Sequence, residues 1–240
     1  MQFAGRPAET DVSPGTWIQD AVADRVWATV SSLVPDVFES YVRVLHPAVR
    51  YAGDHDVEVP WSEVADANGT AAHRLMQWPA ITGGWDFVSE DDQSPLWDDS
   101  PAEGHLPVAV AARLAAVLRQ HTVTPDDCSF GVWHGWGSIL VVAPTLSLPK
   151  REHWLVRGPV ELAAANMAAE PSEQGAALWW PADRAWFVAT DVDLMSTYVG
   201  GSAACIADLV GTAGLETVPA APEDPVGYHA DRINPVPDRH

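Results

Sequence analysis

The chain is 240 residues long, enough for one large domain or two small ones, and it carries 33 acidic residues against 13 basic ones for a net charge of −20. A surface that negative repels phosphate backbones and anionic lipid, which argues against nucleic acid and membrane surfaces as partners and leaves a basic protein or a small ligand. The two cysteines, Cys128 and Cys205, lie far apart without metal-type spacing, so a disulfide framework is excluded and both read as reduced thiols in or near the core.

In chain order, the N-terminus lacks the charged start and apolar run of a secretory signal, which points to the cytoplasm. Ser13-Pro14 is a helix start, and Trp17, Ile18, Ala21 and Val22 form the apolar stripe of a short helix. The segment from Phe38 to His46 is rich in aromatic and β-branched residues and reads as a strand, although Phe38, Tyr41, Val42 and Leu45 also satisfy helical spacing. Ser62 caps a brief helix ending at Asn68-Gly69, and the acidic stretch 86–103, without periodicity, reads as a long surface loop. The run from Leu106 to Leu118 is too short to span a bilayer and contains Arg113. Within it a helix begins at Pro107 and ends near His121, apolar almost all round and so expected between layers.

Ser129 to Trp133 reads as a strand, with further extended pieces near Leu146 and at 153–157, and a helix opens at Pro159 and runs through Met167. Leu178 to Trp180, Ala185 to Thr190 and Leu194 to Val199 look like three consecutive strands. Gly200-Gly201 then turns the chain with positive φ available, and Ser202 caps a helix that Gly211 ends. These elements lack a βαβ rhythm, so the expectation is a single α+β domain over residues 1–218, with a mixed or mostly antiparallel sheet covered by helices. Residues 219–240, rich in proline and acid, are expected to form an extended tail. The twelve tryptophans are spread along the whole chain, which assigns most of them to the core.

The most suggestive cluster is Trp133-His134-Gly135-Trp136-Gly137, where two glycines let a partner approach and two rings with an imidazole could line a pocket. The same residues also suit a strand end whose turn needs glycine and whose rings plug the core. Asp191 and Asp193, two apart, would present both carboxylates on one face of an extended backbone, but two oxygens fall short of a metal site and an acidic turn is equally natural. Asp54-His55-Asp56 reads as an exposed turn for a similar reason. Cys128 with His121 or His134 is an imaginable nucleophile and base that nothing in the spacing enforces. Phosphate-binding glycine loops, the nucleophile elbow and the zinc signatures are missing, so no cofactor or metal is expected.

Val30-Ser-Ser-Leu-Val-Pro35 with Phe38-Glu-Ser-Tyr-Val-Arg-Val-Leu-His-Pro-Ala48, Phe130 to Gly137, and Trp186 to Ser202 resemble a family of uncharacterised actinobacterial proteins. That resemblance spans most of the chain, supports one domain and carries no catalytic residue. The order of elements and the use of tryptophan and glycine are also similar to bacterial immunity proteins of the SMI1/KNR4 superfamily. Two functions are therefore expected to compete: a non-enzymatic, immunity-like protein whose acidic surface meets a basic partner, and a hydrolase with a pocket of His134, Trp133, Trp136, Asp191 and Asp193.

Overall fold

The computed structural model describes residues 2–25, 28–85, 96–137, 139, 141–169 and 172–238. In chain order its strands are β1 (Gln2–Phe3), β2 (Arg6–Pro7), β3 (Ser40–Leu45), β4 (Ala48–Ala52), β5 (His55–Val59), β6 (Cys128–Trp133), β7 (Leu146–Leu148), β8 (Arg151–Gly158), β9 (Leu178–Pro181), β10 (Phe187–Ala189), β11 (Ser196–Gly201) and β12 (Glu216–Ala220). Helices are α1 (Thr16–Val22), α2 (Trp61–Ala67), α3 (Trp78–Thr82), α4 (Val108–Leu118) and α5 (Ala203–Val210). Eight strands form one antiparallel sheet in the order β12-β3-β11-β10-β9-β6-β8-β7, while β1–β2 and β4–β5 are separate hairpins. The fold is α+β in one domain, as the lack of βαβ rhythm implies.

The sheet is buried on both faces, which explains the ambiguity of Phe38 to His46. β3 lies between β11 and β12, and five of its six residues are buried, so its apolar pattern carries no clean period of two. Val42, Val44, Phe130, Val132, Trp154, Val156, Trp179 and Val188 point to one face, where Val110 and Leu114 of α4 and Ile206 and Leu209 of α5 cover them. The alternate residues Tyr41, Leu155, Leu178, Trp180, Phe187 and Tyr198 point to the other, under Ile18 and Val22 of α1 and Val30 and Val34. A third cluster packs α2, α3 and the β4–β5 hairpin around Trp61, Trp78 and Trp97. Those three indoles, with Trp154, Trp179, Trp180 and Trp186, are fully buried, in line with the core role expected for most tryptophans. Trp27 lies outside the described residues.

Several expectations need correction. The helix expected from Pro159 to Met167 is only a 3-10 turn over Val160–Ala164. Ala165 turns extended, and the Met167 amide donates to the Gln174 carbonyl at 2.7 Å instead of to a preceding turn. The brief helix at residue 61 starts one residue before Ser62, with Pro60 at its cap position, so Ser62 caps nothing. Of the acidic loop 86–103, residues 86–95 lie outside the described residues, while Trp97 is core and Asp99 bridges to Val49.

The glycine pair and the C-terminal segment also differ from expectation. Neither Gly200 nor Gly201 has positive φ, and the sheet continues through both. Gly200 is required by close approach: a Cβ there would meet Phe38 Cδ2 at 2.5 Å and Val34 Cγ1 at 2.9 Å. Ser202 does cap α5, its Oγ accepting from the Cys205 amide at 3.2 Å. The boundary placed after residue 218 falls inside β12. The segment that follows is packed against the body, since Val226, Ala230, Asp231 and Asn234 are buried. The reason is polar. Arg74 pairs with Asp224, and Asp231 accepts from His73 Nε2 at 3.0 Å and from the amides of Ile233 and Asn234, both at 2.9 Å. Burial works to raise the Asp231 pKa, but bonds from the Asn234 side chain and amide, the Ile233 amide and the nearby His73 hold it below the usual range.

Candidate functional site

The cluster 133–137 divides between the two faces of the sheet. Trp133, the last residue of β6, packs on the α1 face, and its ring lies 5.0 Å from that of Trp136, edge-on. A Cβ on Gly135 would meet the Trp133 ring at 2.2 Å, so this glycine serves the packing of the tryptophan. Trp136 packs instead against the cluster covered by α4, and Gly137 is exposed with open space around its backbone. His134 is also exposed; its ring lies 4.6 Å from Trp154 and its amide donates to the Glu152 carbonyl at 2.8 Å.

Asp191 and Asp193 meet elsewhere, and on a cation. Asp191 accepts from Arg151 Nε at 3.2 Å and from Nη2 at 3.0 Å, and Asp193 accepts from Nη2 at 2.7 Å. The guanidinium carbon lies 5.8 Å from the centre of the Trp133 ring, on the α1 face. The alternation along β6 therefore separates His134 from this group, and the pocket expected from His134 with Asp191 and Asp193 is not assembled. The two carboxylates do share a cation, an arginine of the fold, but from a turn in which the Asp193 amide donates to Asp191 Oδ1 at 3.1 Å and not from an extended backbone. Among the described residues no three His, Cys, Asp or Glu side chains converge as metal ligands. Burial opposes the Arg151 charge, yet the bonds to Asp191 and Asp193 outweigh it and raise its pKa.

What β8 brings to this place is His153, two residues after Arg151 and on the same face. It is 4% exposed, and its Nδ1 is buried without a hydrogen-bond partner. Burial, followed by the charge of Arg151, pushes its pKa down to about 3, so the ring is neutral. His153 and Arg151 line a small cleft of about 30 Å³ together with Ser32, Leu33, Leu148, Thr190 and Asp191. A second cleft of about 130 Å³ is lined by Ala28, Leu33, Asp193, Leu194, Val226 and Tyr228, again with Asp191. Leu33 and Asp191 belong to both, so the clefts adjoin as one trough, with His153 and Arg151 at its inner end and Leu194, Val226 and Tyr228 beside Asp193 at its outer end. The outer wall is the C-terminal segment held by Asp224 and Asp231. Tyr228 is fixed there by a hydroxyl bond to Glu103 and an edge-on contact with Trp85 at 4.9 Å.

The thiols are removed from such a site. Cys128 and Cys205 are both buried, and burial followed by neighbouring acids pushes each up to about 12. Cys128 faces the Thr124 and Pro125 carbonyls, and His121 turns to Asp208 at 2.9 Å. Neither arrangement makes a thiolate. Asp54, His55 and Asp56 are exposed at the β4–β5 turn.

The residues overlooked in the sequence are Arg151, His153, Leu33 and the wall at 226–228. The available signal was the alternation Arg151-x-His153 on an extended segment, matched by Asp191-x-Asp193. The pairing of the two segments and the return of the C-terminus could not be read locally. Comparison with protein-family models, with curated proteins and with solved structures finds no match.

Proposed function

We propose that this chain is a non-catalytic binding protein, immunity-like in manner, whose acidic surface engages a basic protein partner. The observation that carries this reading is the fate of the arginines. Arg25, Arg50, Arg74, Arg113, Arg119, Arg151 and Arg157 are each paired with a carboxylate of the fold, and Arg43 is buried. Most of the arginine charge among the described residues is thus matched within the fold, with Arg6, Arg184 and Arg232 exposed outside these pairs, while acids such as Asp20, Asp24, Asp54, Asp56 and Asp66 stand exposed. A net charge of −20 spread this way attracts a cationic surface at long range and speeds encounter. The high thiol pKa values and the separation of His134 from the Asp191–Asp193 pair support binding over catalysis.

The test is retention of partners from a lysate of the native organism on the immobilised full chain, at low and at moderate salt, followed by calorimetry with the partner recovered. A basic protein held at low salt, with affinity falling as salt rises, is expected, because exposed charges are screened beyond about 10 Å at 0.1 M ionic strength. Failure to retain any basic protein at low salt would remove the reading.

A further inference from the structure

We propose that the trough between the Leu33 loop and the C-terminal segment is a binding site for a small uncharged molecule that joins an amide-like head to an apolar body. The head would sit against His153 and the Arg151–Asp191 pair, and the body along Leu33, Leu194 and Val226. This site is separate from the acidic surface and does not depend on it.

Three observations converge on that class of ligand. First, His153 lines the inner end with Nδ1 unpaired in a place almost closed to water. A buried polar atom left in this state is destabilising, and a ligand that exchanges a hydrogen bond with the ring recovers part of that cost. A neutral imidazole offers one donor and one acceptor, which an amide, itself both donor and acceptor, complements.

Second, charge selects against ions of either sign. Asp191 and Asp193 against Arg151 leave one negative charge in excess, within a chain of net charge −20, so an anion is repelled. A cation at the inner end finds the buried Asp191 already held by Nε and Nη2 of Arg151, leaving only the exposed, solvated Asp193 to attract it. Third, the outer end offers Ala28, Leu33, Leu194, Val226 and Tyr228 as a surface for an apolar body, with Asp191 and Asp193 along its polar edge. Tyr228 and Val226 are held in place by the Arg74–Asp224 and Asp231 contacts, so the wall is formed before a ligand arrives.

The experiment titrates benzamide, benzoate and benzylamine, three probes of one shape and three charges, into the full chain labelled at the histidine rings, and follows those rings by NMR. Benzamide is expected to saturate and to move the His153 resonances, with benzylamine weaker and benzoate without effect. In His153→Phe the affinity for benzamide should fall about tenfold, the effect of one lost neutral hydrogen bond. Leu33→Trp, which fills the junction of the two compartments, should abolish it. Should Leu33→Trp melt early, Leu33→Phe serves as the milder block, expected to weaken benzamide at least as much as His153→Phe. Benzamide failing to saturate, benzoate binding more tightly than benzamide, or benzamide affinity unchanged in both position 33 and position 153 variants would each overturn the site.

Discussion

His46 and His153 are both sealed within the fold, at 0% and 4% exposure, and burial is the leading cause that takes each down to about 3. Their hydrogen bonding separates them. His46 Nδ1 lies 2.6 Å from the Ala102 carbonyl, which can only accept, so this nitrogen donates and Nε2 must accept from the Thr197 hydroxyl at 2.9 Å. Thr190 completes the chain, its hydroxyl 2.6 Å from that of Thr197. No capacity is left over. His153 has the same burial and an idle Nδ1, and it borders a cleft where His46 borders packed chain. Burial alone thus says little about role; what distinguishes a structural imidazole from one able to receive a ligand is whether its partners are already supplied.

The comparison breaks first at His46. His46→Leu strands the Ala102 carbonyl and removes the acceptor of Thr197, and should lower stability by about 3 kcal/mol in a denaturant titration. His153→Phe removes an unpaired atom and should change stability at pH 7 by under about 1 kcal/mol. Equal losses at the two positions would erase the distinction.

A smaller effect is expected where the trough's ion pair meets solvent. Asp191, with 8% of its side chain exposed, should lose about 2 kcal/mol on change to Asn, since Arg151 then keeps only an outer partner. Asp193, 73% exposed, should lose less than about 0.5 kcal/mol in the same titration. Ser202→Ala, which removes one helix-cap bond remote from both histidines, sets the scale of a single surface bond at about 1 kcal/mol.

Acid sharpens the contrast without distinguishing the rings by sign. Each histidine is neutral in the fold and titrates near its ordinary 6.5 when unfolded, so between pH 6.5 and about 3 the unfolded chain binds the extra proton. Stability therefore falls as pH drops through that window, by on the order of 1 kcal/mol per pH unit for each ring. His153→Phe should remove one such contribution and flatten the acid limb of stability against pH. An unchanged slope would mean that this ring protonates within the fold.

Much of this architecture is legible in the residues themselves. The strands at 128–133, 178–181 and 187–189, the helix after Pro107 and the Ser202 cap follow from β-branched and aromatic runs, proline placement and a side-chain oxygen three residues ahead of a free amide. The helix expected after Pro159 fails because Ala-rich propensity is weak beside the pull of Met167 into the core, where it is 3% exposed. Gly200 is required, but by close approach and not by the positive φ that a turn would need. A φ requirement is local, whereas contact with Val34 and Phe38 depends on chain more than 150 positions away.

Composition, charge and element rhythm by themselves determined an acidic chain with a tryptophan-rich core and one α+β domain. Charge and core composition are properties of the residues alone, whereas Arg151 and His153 share a face because β8 extends to residue 151, and Asp191 and Asp193 meet in a turn closed by the Asp193 amide on Asp191 Oδ1. Only the tertiary structure decided that β6 turns His134 away from those acids while β8 turns His153 toward them. Only it brought residues 224–234 back as a wall. Both outcomes rest on which strand neighbours which and on ion pairs such as Arg74 with Asp224, contacts between residues so distant in sequence that no local pattern encodes them.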